Sequence, residues 1–384
     1  MKHILFILVL LWVTALNAQQ FLNLEPISSQ FLNEERPYLV HLPYSYPDTT
    51  NVQKKYPVVI LLDGQYHFWY SINTIEYLSG RNIIPECIVV SVPNTDRTRD
   101  LTPTHSIIHY DGTENEDFLK TSGGGENFLK FINEELIPTI DKNYNTMALK
   151  IFVGHSFGGL ATVQSFLSNS SPFSAYISMD PSMWWDNGIC LKQLKSVETL
   201  SNTKSWYMSA ANNNDFKKDT SNTRILQEKF NDILLDQHST IQTKFQIYED
   251  EDEDHQSVTL KSLYDGMRFI FNSYRITNEM KEDVIAFEDH FEQLSKEWEE
   301  EFKPSEGLIN SNGYSFIRQD KLNIALDFFK LNIKLYPQSY NAYDSIAECY
   351  LKMGNKKLAK INYTKSLELN PNNQNAVEML KELK

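Results

Sequence analysis

A chain of 384 residues that is 41% hydrophobic and 22% charged reads as an ordinary folded protein of two to three domains, each with a sizeable core. Its formal net charge of −14 excludes nucleic acid and anionic membrane surfaces as partners, because phosphates would be repelled rather than neutralised. Cys87, Cys190 and Cys349 are odd in number and widely scattered, so they read as small buried hydrophobes, and no cysteine or histidine pair sits at metal-ligand spacing, so no metal is expected.

At the start, Met1-Lys2-His3 leads into the wholly apolar run 4–13, and Ala18 follows shortly. A short basic start, an apolar core and a closing small residue make 1–18 a secretory signal peptide cleaved after Ala18. The mature chain is then expected in the periplasm or secreted. No later stretch approaches the roughly 18 apolar residues of a membrane span.

Residues 36–43 alternate apolar and polar as an early edge strand should. The continuous apolar run 56–62 is of the kind buried on both faces of a parallel sheet, and it ends in Asp63-Gly64-Gln65. A helix is predicted over 69–78 and the next buried strand over 83–92. The polar loop 93–103 then carries Asp96, Arg97, Arg99 and Asp100. Ligands of open parallel sheets bind beyond the carboxyl ends of the strands, which makes Arg97 and Arg99 candidate pocket residues, unless these four charges pair among themselves. Gly123-Gly124-Gly125 opens a helix over 126–140, with Phe128, Phe131, Ile132 and Leu136 on one stripe.

Around Gly154-His155-Ser156-Phe157-Gly158 a strand-like run passes through a sharp turn into helical spacing at 160–166. A turn that tight forces the serine into strained backbone geometry and lifts its hydroxyl clear of the sheet, which requires small residues two positions either side. The five-residue pattern alone is unspecific; its strand-before, helix-after setting is the specific part. Beyond it come a strand at 173–179 and the loop Asp180-Pro181-Ser182-Met183-Trp184-Trp185. Its paired tryptophans belong either to the core or to an acyl or aryl pocket. A penultimate strand (205–211), a helix (223–235), a last strand (243–248) and a closing helix (260–274) follow. Strands alternating with helices predict an α/β sandwich with a mostly parallel sheet covered on both faces.

A serine hydroxyl needs a base to take its proton, and the base needs a third group to fix its tautomer. His255, just past the last strand, stands where a base is demanded, with Ser156 as nucleophile. Asp215, after the penultimate strand, is the first choice of acid and Asp180, one strand earlier, the second. His155 is too close in sequence to reach round to the serine and reads as structural. The run Glu249 to Asp254 reads as a solvated loop face.

Together the Leu62-Asp63-Gly64 loop, the Arg97-x-Arg99-Asp100-x-Thr102-Pro103 stretch, the Gly154 to Leu160 elbow and Pro181-Ser182-x-Trp184-Trp185 carry a resemblance. Over about residues 30–274 the chain resembles the putative esterase family of α/β-hydrolases, on the enterochelin esterase-like side. The resemblance implies an α/β-hydrolase sandwich over 19–275, a Ser-His-Asp triad, and an oxyanion hole from the backbone N–H groups of Phe157 and Gln65. It implies a small-molecule ester as substrate and no cofactor. An acyltransferase using the same triad is the alternative.

Residues 276–305 read as a charged connecting helix. Beyond them Ala325 and Ala359, Phe329 and Tyr363, Leu335 and Leu369, and Pro337 and Pro371 recur at a spacing of 34, the period of the tetratricopeptide repeat. Two repeats, 306–339 and 340–373, plus a short capping helix account for 306–384. Such repeats form either a groove for a protein partner or an appendage for stability or self-association. A repeat-mediated binding protein with an inactive hydrolase domain is the reading from another class.

Overall fold

The structure, a computed structural model, describes residues 25–46, 54–200, 205–212, 223–249 and 253–383. The expected signal peptide 1–18 lies outside the described residues. The chain divides into two compact units, one running to Asn272 and the other starting at Ser273.

In the first unit a small antiparallel pair, β1 (Ile27–Ser29) and β2 (Glu34–Arg36), precedes a seven-stranded sheet. Its strands are β3 (Leu39–His41), β4 (Tyr56–Leu62), β5 (Ile88–Val92), β6 (Thr146–His155), β7 (Ala175–Met179), β8 (Ser205–Ala210) and β9 (Gln242–Ile247), in the spatial order β3-β5-β4-β6-β7-β8-β9. All neighbours run parallel except β3 against β5. Central strands β4, β5 and β7 are buried at every residue, which is why their sequences are unbroken apolar runs rather than alternations. Edge strand β9 is only partly covered and correspondingly polar.

Helices fill the crossovers: α1 (Gly64–Gly80), α2 (Arg97–Leu101), α3 (Glu116–Leu119), α4 (Gly125–Lys130), α5 (Ile137–Asn143), α6 (Phe157–Leu167), α7 (Trp185–Ser196), α8 (Thr223–Gln237) and α9 (Val258–Ile270). Between α4 and α5 the turn Phe131–Leu136 widens to a π-helix, a detail no period in the sequence announces. One continuous core packs on one face of the sheet, with Phe152 stacked on Phe173 at 4.3 Å and Phe166 against Trp206 at 4.4 Å. All three cysteines are free and buried.

The second unit is helical throughout its regular structure. The connecting segment is two helices rather than one, α10 (Asn278–Glu282) and α11 (Val284–Glu297). Asp283 breaks them because it takes an extended backbone and caps α11 through the N–H of Ile285. Then follow α12 (Glu306–Arg318), α13 (Leu322–Leu335), α14 (Tyr340–Lys352), α15 (Lys356–Leu369) and α16 (Gln374–Glu382). Starts of α12, α14 and α16 are 34 residues apart, as are those of α13 and α15. Ser305, Ser339 and Asn373, at the same interval, each cap the helix behind them with a side-chain oxygen, worth about 1 kcal/mol apiece. A Cβ on Gly313 would stand 2.5 Å from Phe329 Cε1, so α12 and α13 touch only because that residue is glycine. No helix among the described residues is long and apolar enough to cross a membrane.

Candidate active site

Three adjacent strands, β4, β6 and β7, stop in register, and each is followed at once by a non-glycine residue in the left-handed region: Asp63 (φ 53°), Ser156 (φ 59°) and Asp180 (φ 41°). Such backbone costs on the order of 1–3 kcal/mol per residue and is kept only where the surroundings over-determine it. At Ser156 they do. Its N–H donates to Met179 O (3.1 Å), while its carbonyl accepts from Leu160 N–H (2.9 Å) and Ser182 N–H (3.1 Å). A Cβ on Gly154 would lie 2.2 Å from Gly158 O, and one on Gly158 would lie 2.9 Å from Asp63 Oδ2. Gly154 is therefore demanded by backbone contact and Gly158 by the closeness of the Asp63 carboxylate.

His255 lies in the turn that precedes α9, and its Nδ1 is 2.7 Å from Asp180 Oδ2. Burial by itself would raise the Asp180 carboxyl, but the hydrogen bond and charge of His255, together with Gln227, hold it below the usual carboxylate range. Gln227 Nε2 donates to Asp180 Oδ1 and to Pro181 O, both at 3.0 Å. Facing an ionised carboxylate, Nδ1 carries the proton, so the neutral ring has its bare nitrogen at Nε2. Asp215, the first choice of acid, lies outside the described residues; the carboxylate at His255 is that of Asp180.

His155 is buried beneath this pair. Desolvation, followed by the charges of His255 and His67, pushes it down to about 3, so it is neutral at ordinary pH. Its Nε2–H donates to the backbone carbonyl of His255 at 2.6 Å, with the two rings 4.5 Å apart. This histidine is no base; it fastens the main chain of the residue that is placed as one. Of the acidic run, Glu253 pairs with Lys261 (2.8 Å), and Asp254 accepts from the N–H groups of Gln256 and Ser257. Residues 250–252 of that run lie outside the described residues.

The Ser156 hydroxyl rests against Ser182, Oγ to Oγ 3.3 Å, and no hydrogen bond joins Ser156 to His255. Catalytic hydrogen bonds commonly tighten only once a substrate is present. Phe157 and Gln65 occupy the first turns of α6 and α1, where the helical ladder supplies no acceptor for the N–H groups. The contact of Gly158 with Asp63 brings those two helix starts together, an arrangement able to receive a developing negative charge.

The four remaining pocket candidates divide. Arg97 is held by Asp63 (Nε to Oδ1 2.6 Å, Nη2 to Oδ2 3.0 Å) and lies over the Phe157 ring. Arg99 is bound to Glu34 and Asp100, each at 2.7 Å. Both guanidinium groups are thus ion-paired within the fold, as the alternative reading of the loop has it for Arg99 with Asp100. Trp185 is fully buried with Nε1 on Thr104, so it belongs to the core. Trp184 is half-buried, 5.8 Å from Phe157 and 5.8 Å from His109. Sequence reasoning missed Asp63, Ser182, His109, Tyr110 and Phe118. Asp63 and Ser182 sat in stretches already singled out; the others are joined to the site by long-range packing.

A family model described as "Putative esterase" matches residues 29–256. The chain belongs to that esterase family. The ferri-bacillibactin esterase BesA of Bacillus subtilis is 32% identical over 181 residues, 44% of this chain and 61% of that protein. A siderophore triacetylfusarinine C esterase of Aspergillus fumigatus is 26% identical over 194 residues, 45% and 62% of the two chains. The chain thus spans about three fifths of the length of these curated relatives. Among solved structures, an IroE-like serine hydrolase from Shewanella oneidensis is 30% identical with a TM-score of 0.71, over 82% of this chain and 100% of that one. The sandwich of the first unit is an α/β-hydrolase fold.

Proposed function

We propose that the chain is an exported serine esterase that hydrolyses carboxylic esters through an acyl-enzyme, with aryl or siderophore esters as substrates. The observation that carries this reading is the pairing of His255 with the buried, ionised Asp180 next to a serine on a strained elbow. Ser156 Oγ turns from Ser182 to His255, gives its proton to Nε2 and attacks the ester carbonyl. Asp180 steadies the imidazolium that forms. The N–H groups of Phe157 and Gln65 receive the oxyanion, each worth about 3–4 kcal/mol by the cost of removing such a donor. His255 then protonates the leaving alcohol, and water attacks the acyl-serine with His255 again as base.

The siderophore ester hydrolysis for which the two curated relatives are named supports siderophore esters, and the aromatic rings around Phe157 support an aryl group. Export to the periplasm or the medium rests on the basic-apolar-small pattern of 1–18. The interval of 34 between helix starts and caps supports two tetratricopeptide repeats in the second unit, with a protein partner or self-association as their role.

The test is hydrolysis of p-nitrophenyl esters and of a catecholate trilactone by wild type and Ser156→Ala. We expect a loss of about 10⁴-fold or more in the variant, with its circular dichroism unchanged. Full turnover by Ser156→Ala sinks the proposal.

A further inference from the structure

Residues 108–118 contribute an exposed aromatic wall that no strand or motif of the sequence announces. A turn closed by His109 N–H to Thr113 O (2.8 Å) and Gly112 N–H to His109 O (3.0 Å) leads into α3, whose cap Asn115 accepts from Phe118 N–H. Asp111 stiffens the turn by accepting from the N–H and hydroxyl of Thr113, and Leu119 anchors α3 in the core. The wall is therefore held in shape before anything binds.

Its rings reach the residue next to Ser156. Phe118 lies nearly parallel to Phe157, the residue after Ser156, at 6.4 Å and 18°. His109 and Tyr110 pack on Trp184 at 5.8 and 6.2 Å, and Trp184 packs on Phe157. Yet Phe118 and Tyr110 remain 49% and 43% exposed. Large aromatic faces left open beside a nucleophile are the surface of a ligand site.

Charge distinguishes the two sides of this site. On the 93–103 side every guanidinium has a carboxylate: Arg36 with Asp100 and Glu34, Arg99 with the same two, Arg97 with Asp63. On the aromatic side Asp111, Glu114, Glu116 and Asp117 are all exposed, and Asp111 and Asp117 directly adjoin Tyr110 and Phe118. Lys120 is the one lysine or arginine between residues 104 and 123.

Taking the esterase reading as its basis, the geometry points to a charge filter: the aromatic wall binds uncharged aryl esters, and its carboxylates turn polyanionic aryl esters away. A ferric tris-catecholate is a trianion, whereas the iron-free catechol ester is neutral, so the same filter separates metal-loaded from metal-free forms of one compound. Carboxylates at a site mouth act on encounter as well as on binding, by factors of about 10 to 10³, and their effect fades when salt shortens the screening length.

The experiment compares kcat/KM of the full chain on p-nitrophenyl benzoate and its 4-sulfonate, and on iron-free and ferric catecholate trilactone. At low salt the neutral member of each pair is expected to lead by about tenfold or more. That lead is expected to shrink at about 0.5 M salt and in the combined variant Asp111→Asn, Glu114→Gln, Glu116→Gln, Asp117→Asn. Phe118→Ala should raise KM for the benzoate more than for the acetate. Equal rates for neutral and anionic members, a lead that ignores salt, or equal losses on benzoate and acetate overturn the proposal. Should that variant misfold, the salt series on wild type decides alone. If no ester is turned over, the esterase reading fails separately. The filter is then judged by tryptophan fluorescence quenching of Ser156→Ala with benzamide and 4-sulfobenzamide: tighter binding of the neutral amide upholds it, and equal binding overturns it.

Discussion

Both units contain non-glycine residues in left-handed backbone, but in different places and to different ends. In the sheet unit Asp63, Ser156 and Asp180 stand at the ends of three neighbouring strands and carry the side chains of the site. In the helical unit Glu299 and Asp320 follow the last turns of α11 and α12, where a left-handed residue is an ordinary way to stop a helix. Gly354 stands one interval of 34 after Asp320, with φ 80°. The strain of the first kind is kept by contacts and has no cheaper sequence that preserves the chemistry. That of the second kind is incidental, and the turn after α14 relieves it with glycine.

Replacing the orienting carboxylate should break the first unit most severely. Asp180→Asn is expected to lower kcat by about 10³–10⁴-fold through the wrong imidazole tautomer, while Asp215→Asn changes it little; the reverse ranking in steady-state kinetics would move the acid to Asp215. Next comes the fastening beneath the base. His155→Phe removes the donor to His255 O and should cost about 10–100-fold in kcat at nearly constant KM, since a displacement of about 1 Å is enough for that. His155→Gln, which keeps an N–H in reach, should recover most of it, whereas a merely structural role predicts equal losses.

In the helical unit the expected effects are on stability alone. Gly313→Ala forces a methyl group into Phe329, and urea denaturation should show a loss of about 1–2 kcal/mol even after the ~1 kcal/mol that alanine gains as a helix former. Smallest is Asp320→Gly, expected to stabilise by about 0.5 kcal/mol by removing left-handed strain, offset by greater freedom of the unfolded chain. If this change costs stability instead, the Asp320 backbone is held by its surroundings as Ser156 is, and the contrast between the units fails.

Much of this was legible in the sequence because it is local. A strand buried on both faces must be an unbroken apolar run, so 56–62 coincides with β4. The strand, elbow and helix around Ser156 follow from sterics within a few residues, and Gly154 is explained by a contact inside the same turn, whereas Gly158 answers to Asp63 at the end of β4. The interval of 34 in the last third reappears in helix starts and caps. The single connecting helix was misread because Asp283, a cap, is polar like its neighbours and leaves no break in the apolar period.

The partners of charged and aromatic groups were beyond the sequence, because they are chosen by distance in space. Asp180 and His255 are separated by 75 residues, and nothing in either local pattern says which carboxylate the imidazole meets. Arg97 and Arg99 read either as pocket residues or as partners of their neighbours Asp96 and Asp100, and only the structure brings Asp63 and Glu34 against them. Phe118, Tyr110 and His109 belong to no regular period, and only packing against Trp184 and Phe157 makes them part of the site. The sequence by itself determined the elements, the elbow and the repeat interval, since each is dictated by neighbours along the chain. Tertiary structure alone decided that Asp180 meets His255, how the arginines pair and how the aromatic wall packs on Phe157, since burial and charge pairing depend on which strand ends the sheet brings side by side.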